Sequence, residues 1–451
     1  NSLDRDVTDA STDNQRENPK RNKASTPTVA RRAHFTGAAP VTKILAHLTP
    51  AVFLLFSLPA PAATPAPAGY LDASKMPGAP FDSQDATAAL KSAIQSRAAK
   101  VWVPNMGVPW LIDTIWLTSN QEILLENGVV IESRPGKAFH VDGQLFKIAS
   151  QKNVTLKGYG ATLKMRRDLF ASGKPYKRSE HRHAIVVYAS RNVKLLGLTI
   201  KDAGGDGIMV GGMTHTSYNK GVLIKDVLIT NAYRNAISII SAEDLTIDNA
   251  VLINTNGTSP QVGLDFEPDH EKQRIVNFAV RNCIIMNNKR LGICFPVSGL
   301  LTASDRERGL PIRGVIENCT IYNNGFHAWG GGVDKKWGDG LFMKWHLDDV
   351  TVKNNLFVHN AGAGFLVDGY AIDHLHKASF CAFWGNKHGT LAGQAGPGKG
   401  IVTNARPVFV STDPANPNFM HLSPKTSTRI TRGSSTGSFI GARPVASRTS
   451  K

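Results

Sequence analysis

Between Arg191 and Asp373 the apolar positions fall into a repeating line. Each line ends in a short apolar run behind a small residue. The runs are Gly207-Ile208-Met209-Val210, Ala236-Ile237-Ser238-Ile239, Gly263-Leu264-Asp265-Phe266, Gly292-Ile293-Cys294-Phe295, Gly340-Leu341-Phe342-Met343 and Gly364-Phe365-Leu366-Val367. An earlier run opens each line, as at Val193-Lys194-Leu195 and Val222-Leu223-Ile224. A third stretch closes on Asp202, Asn231, Thr255, Asn288, Asn324 or Asn360. Successive lines lie roughly 23 to 29 residues apart, except for one long interval, and such a period marks a solenoid. Apolar residues alternate within the runs and are mostly Val, Ile, Leu and Phe, which is strand chemistry.

Three short strands per period, turning at Gly and Asn, describe a parallel β-helix. The polar column predicts side chains bonded from coil to coil, as in stacked amide ladders. Cys283 and Cys319 take equivalent slots and read as small core residues rather than a bridge. A leucine-rich repeat would need a fixed Leu and Asn consensus in each unit, which is absent.

Outside the repeat, residues 1–42 are polar and are expected to be disordered. Lys43, the apolar run Ile44–Leu58 and Ala60-Pro61-Ala62 have the order of a secretory signal over 43–62. The run is short for a membrane span, which needs ~20 residues. Residues 63–80 read as a linker, 81–422 as the solenoid domain and 423–451 as a flexible basic tail. One helix is expected from Asp82 to Ala98, capped by Asp82 or Ser83, with Ala89, Leu90, Ala93 and Ile94 on one face. It would cover the open end of the solenoid, where strand edges are exposed.

Composition changes this picture little. The net charge is +17, but much of the excess lies in the ends, so it argues only weakly for an acidic partner. Four Cys with no Cys-x-x-Cys or Cys/His spacing make neither a disulfide scaffold nor a metal site. The coils lack basic stretches interleaved with aromatics, so nucleic acid is not an expected partner.

Ser83 to Ile112, with Val103-Pro104-Asn105-Met106-Gly107 followed by Trp110-Leu111-Ile112, resembles the start of the pectate-lyase-like superfamily. So do Lys152-Asn153-Val154-Thr155-Leu156 with Gly158-Tyr159-Gly160-Ala161, and Arg191-Asn192-Val193-Lys194 with Gly197-Leu198-Thr199-Ile200. The resemblance spans about Phe81 to Phe439. It implies an all-β, right-handed parallel β-helix acting on polysaccharides, secreted or periplasmic and monomeric, with no membrane contact once the signal is cleaved. The superfamily holds hydrolases, lyases, epimerases and tailspikes. The sequence contains neither the polygalacturonase motif set nor the Val-Trp-Ile-Asp-His-like lyase signature.

Strand alternation turns Asp265 and Glu267 to the outer face, with Phe266 inward between them. At i, i+2 they lie ~7 Å apart along the strand, near the lower end of the ~6.5–9.5 Å used by inverting glycosidases. Asp206, at a Gly-Asp-Gly strand entry shared by Asp339, and Asp368 are further acid candidates. Two other readings stay open: a solvated acidic face, and a Ca²⁺ site of Asp265, Glu267 and Asp269. Otherwise no cofactor is expected. His183, Arg234, Arg290 and Lys344 are candidates for binding a substrate, an acidic one included. Trp329, Trp337, Trp345 and His346 are candidates for a subsite wall beside a Gly330-Gly331-Gly332 loop. A lyase would use Lys344, His183 or Arg290 as base. A glycan-binding protein without catalysis is the remaining alternative.

Overall fold

The computed structural model describes residues 65–446, except 137–138, 140, 298–309, 326–337, 345–346 and 370–375. The described strands form three parallel sheets, one of twelve strands and two of ten, and each strand pairs with its counterpart in the next coil. In one ten-stranded sheet, called the site sheet because it bears Asp265 and Glu267, Ile208, Ile237, Leu264, Ile293, Leu341 and Phe365 stand in one register, as the repeat predicts. The core between the sheets is apolar and continuous from Ala73 to Phe383. It includes stacked rings one coil apart, Phe266 on Phe295 at 4.4 Å between centroids and Phe357 on Phe383 at 4.9 Å. Cys283, Cys319 and Cys381 are free and buried in equivalent slots of this core.

The small residues before the site strands have a steric cause. A Cβ on Gly292 would lie 2.4 Å from the carbonyl oxygen of Gly340 in the next coil. The polar column divides in two. Asp202 and Asn231 hold a left-handed backbone turn, together with Asn254, Asn287 and Asn323. Thr255, Asn288, Asn324 and Asn360 lie one position further along and are buried. There Asn288 Nδ2 donates to Asn324 Oδ1 at 3.0 Å, Asn324 Nδ2 to Asn360 Oδ1 at 3.0 Å, and Asn360 Nδ2 to Asn386 Oδ1 at 2.9 Å.

Three boundaries move. The helix spans Thr87–Gln95, not 82–98, with Ala86 as its N-cap. Asp85 instead accepts from the Thr87 amide at 3.0 Å, and Asp82 from the Gln84 amide at 2.7 Å, so both acids close turns ahead of the helix. The helix buries its expected face against the first strands. The expected linker ends by Tyr70, because Leu71–Asp72 pairs with Val101–Trp102 and Ala73 is buried. Residues 423–446 pack down although the tail was expected to be flexible: Ile430 and Ile440 are buried beside Leu356 and Val358 on the other ten-stranded sheet, the third sheet. The stretch Arg406–Leu422 also runs along that sheet, with Met420 against Ile284 and Met286. The expected signal, residues 43–62, lies outside the described residues.

Candidate active site

The site is built from two columns of the site sheet and the turn before it. The register aligns Met209, Ser238, Asp265, Cys294, Phe342 and Leu366 on its outer face. Two positions before each strand, the same alignment stacks His183, Asp206 and Asn235. One residue earlier still comes Arg234, which aims its guanidinium along the face.

Arg234 is the hub. Nη1 and Nη2 donate to Glu267 Oε1 and Oε2 at 2.7 and 2.8 Å, a bidentate pair. Nη1 also reaches Asp206 Oδ2 at 3.1 Å and Ser238 Oγ at 3.3 Å. Nε lies 3.4 Å from Glu180 Oε2 but makes no hydrogen bond. Asn235 ties the acids together: its amide donates to Asp206 Oδ1 at 2.9 Å and its Nδ2 to Asp265 Oδ2 at 3.1 Å. Asn235 Oδ1 is itself fixed by the Val262 amide at 3.0 Å.

Asp206 and Asp265 are fully buried, and Asp265 Oδ1 has no partner among the described residues. Burial raises both carboxyls above their ordinary range. For Asp206 the Arg234 charge and the Asn235 amide oppose that rise. For Asp265 the neighbouring Glu267 charge adds to it, and the two side chains are within hydrogen-bonding reach. Burial raises Glu267 too, while Arg234 opposes it through charge and hydrogen bonds. The bidentate cation restrains the rise at Glu267, so Asp265, raised well above the usual range, is the carboxyl that more readily keeps a proton.

His183 approaches Asp206 Oδ2 at 3.3 Å without forming an ion pair. Its Nδ1 accepts from the Asp206 amide at 3.0 Å, and burial, then the Arg234 charge, pushes the ring down to about 3. A neutral imidazole whose Nδ1 is engaged orients the Asp206 turn and is not a free base. Asp339, the lower repeat of the Asp206 slot, is buried and pushed up to about 6 by desolvation, with Oδ1 accepting from Ala363 at 2.6 Å.

Among the described candidates, Asp368 and Lys344 stand apart from this cluster. Asp368 is exposed, pairs in register with Lys344, and lies three coils from the Glu267 position, about 14 Å at ~4.8 Å per coil. Arg290 occupies the Arg234 slot two coils on, its amide bonded to Gln261 O at 3.2 Å. Trp329, Trp337, Trp345 and His346 lie outside the described residues. Asp265, Glu267 and Asp269 do not fit Ca²⁺ here: both Glu267 oxygens accept from Arg234, whose charge takes the cation's role. Among the described residues no group of three or more His, Cys, Asp or Glu is placed to hold a metal. Sequence reasoning missed Asn235, Ser238 and Glu180. Asn235 shares the Asp206 slot, so alignment of that column was the signal that could have found it.

Three parallel sheets closed around one core, with a buried polar cluster on an outer face, define a parallel β-helix. A family model for the right handed beta helix region matches residues 176–407, just over half of the chain, and the chain belongs to that family. Solved structures with the same fold include a tailspike protein of E. coli bacteriophage HK620 in complex with a pentasaccharide. It is 12% identical with a TM-score of 0.53, covering 73% of this chain and 65% of that one. Pectate lyase Pel9A is 12% identical with a TM-score of 0.50, covering 73% of this chain and 89% of that one. No curated protein sequence matches the chain.

Proposed function

We propose that the protein cleaves a polysaccharide by hydrolysis, using Asp265 and Glu267 as a proton-sharing pair held by Arg234. One observation carries this reading: two fully buried acids, Asp206 and Asp265, stand with the part-buried Glu267 and Arg234 on the outer face of a sheet, outside the apolar core. Isolated carboxylates resist burial, and hydrophobic side chains would fill the same slots at lower cost. Acid–base chemistry gives a reason to keep them.

In this mechanism the proton on Asp265 passes to Glu267, the member of the pair with solvent exposure, and on to the leaving glycosidic oxygen. The C–O bond breaks, water bonds to the anomeric carbon, and the carboxylate pair takes the proton that water loses. Arg234 and Asn235 hold the pair through each change of charge. The likeness to a sugar-bound tailspike and a pectate lyase supports a glycan as ligand. Hydrolysis is favoured over a lyase built on His183, because that ring is buried, neutral and already bonded at Nδ1.

The full burial of Asp265 favours one other reading, a glycan-binding β-helix in which the cluster is structural. Glu267→Gln separates the two. Hydrolysis predicts loss of product with binding retained, whereas the binding reading predicts that the parent protein forms no product. Export, inferred from the pattern at residues 43–62, is tested by N-terminal sequencing of protein recovered outside the cytoplasm.

A further inference from the structure

The outer face that holds the acids continues toward the N-terminal coils, and its chemistry changes there. Trp116 pairs with Lys147, Lys147 with Val186, Val186 with Met209, Met209 with Ser238, and Ser238 with Asp265. Five coil steps at ~4.8 Å place Trp116 about 24 Å from Asp265 along one line. Trp116 is 57% exposed, an unusual position for an indole. Lys147 Nζ lies over its ring at 4.4 Å and over the Tyr188 ring at 5.9 Å.

Tyr188 stands in the column that leads to Glu267. Among the described residues its hydroxyl reaches only the Met209 thioether, at 3.7 Å, a weak acceptor. Gly211 leaves room for the ring: a Cβ there would meet Tyr188 Cε1 at 3.2 Å. Met213, 59% exposed, borders the same area and accepts from Ser150 Oγ at 3.1 Å. Two aromatic faces, a cation between them and a polar tip lie in register with the acid cluster. They do not contribute to the core.

We propose that Trp116, Lys147 and Tyr188 form a remote subsite that binds a pyranose unit bearing an anionic group, several sugar units along the chain from the cleaved bond. The inference rests on the glycan reading above. Flat apolar rings stack on the C–H faces of a sugar, the ammonium pairs with a carboxylate or sulfate, and the Tyr188 hydroxyl donates to a ring substituent. Spacing matters as much as chemistry: a ligand held at both places must be long, so the subsite selects chain length.

Three probes test it: a uronate octasaccharide, its carboxyl-reduced form and a sulfated galactan octasaccharide, with the uronate trisaccharide as the short control. Tryptophan fluorescence reads binding and mass spectrometry reads cleavage. Trp116→Ala is expected to weaken octasaccharide binding and raise its KM about tenfold, with kcat and trisaccharide turnover unchanged, and Trp116→Phe to restore most of the loss. Lys147→Met is expected to weaken binding of the uronate or sulfated octasaccharide, whichever the site takes, and not of the reduced one. Cleavage with a KM independent of Trp116 overturns the subsite and leaves hydrolysis standing. Binding that depends on Trp116 without cleavage by the parent protein overturns hydrolysis and keeps the subsite. Neither binding nor cleavage of any probe overturns both.

Discussion

Arg234 holds one of the strongest arrangements in the molecule, and its removal should show it. With Glu267 and Asp206 left buried without their cation, Arg234→Met is expected to destabilise the protein by about 3–5 kcal/mol near neutral pH. The loss should be smaller at pH 4, because both carboxyls are raised above their ordinary range and gain protons as pH falls. Urea unfolding at the two pH values checks this. A change under about 1 kcal/mol at both, the size of an exposed ion pair, would contradict the geometry. Asp339 gives a second test. Its folded pKa, about 6, lies above the unfolded value of 3.8. Its stabilising effect is therefore full below about pH 4 and is lost as pH rises through about 6. Asp339→Asn keeps an acceptor for the Ala363 amide. It should raise the unfolding free energy by on the order of 2–3 kcal/mol at pH 8 and by little at pH 4. The acids themselves were legible in the sequence because alternation fixes which side they face. Their convergence was not, because strand rise gives Cα spacing while side-chain reach and Arg234 decide where carboxylates meet.

At the scale of the element, the stacked Asn column does work that core burial does not. Asn324 Oδ1 accepts from the Asn288 amide at 3.1 Å and from Asn288 Nδ2, and its own Nδ2 bonds to Ile285 O at 3.1 Å. Asn324→Ala leaves buried donors and an acceptor unpaired, and should cost about 2–3 kcal/mol. Asn386→Ala, at the partly buried end of the ladder, should cost less. Chemical unfolding of both variants reads the difference, and equal costs would mean that the ladder is not continuous. The repeat revealed the strands and their register almost to the residue, since each coil must present the same face to its neighbours. It did not separate the left-handed corner from the buried ladder beside it. Asn suits both, and only Ala203 and Ala232, which stand in the ladder position of the earlier coils, distinguish them. The helix start at Thr87 was misplaced because Asp82 and Asp85 close turns with the same side-chain chemistry as an N-cap.

For the whole molecule, a solenoid separates what folds from what binds. Repetition made the fold readable and hid the parts that do not repeat. Trp116, Lys147 and Tyr188 precede the stretch where the lines are most regular, so their membership of the acid-bearing face emerges only from the register. The packing of 402–446 on the third sheet was hidden for a related reason. Ile430, Ile440 and Met420 are isolated apolar residues in a polar stretch without period, and their burial depends on a surface that other coils supply. The central claim concerns the site sheet, whose outer face holds the acids. Mass spectrometry of products from a polysaccharide panel, for the parent protein and Glu267→Gln, with and without chelator, tests it most directly. The account predicts fragments that have gained one water, unaffected by chelator and lost in Glu267→Gln. Unsaturated fragments, or product formation that survives Glu267→Gln, would contradict it.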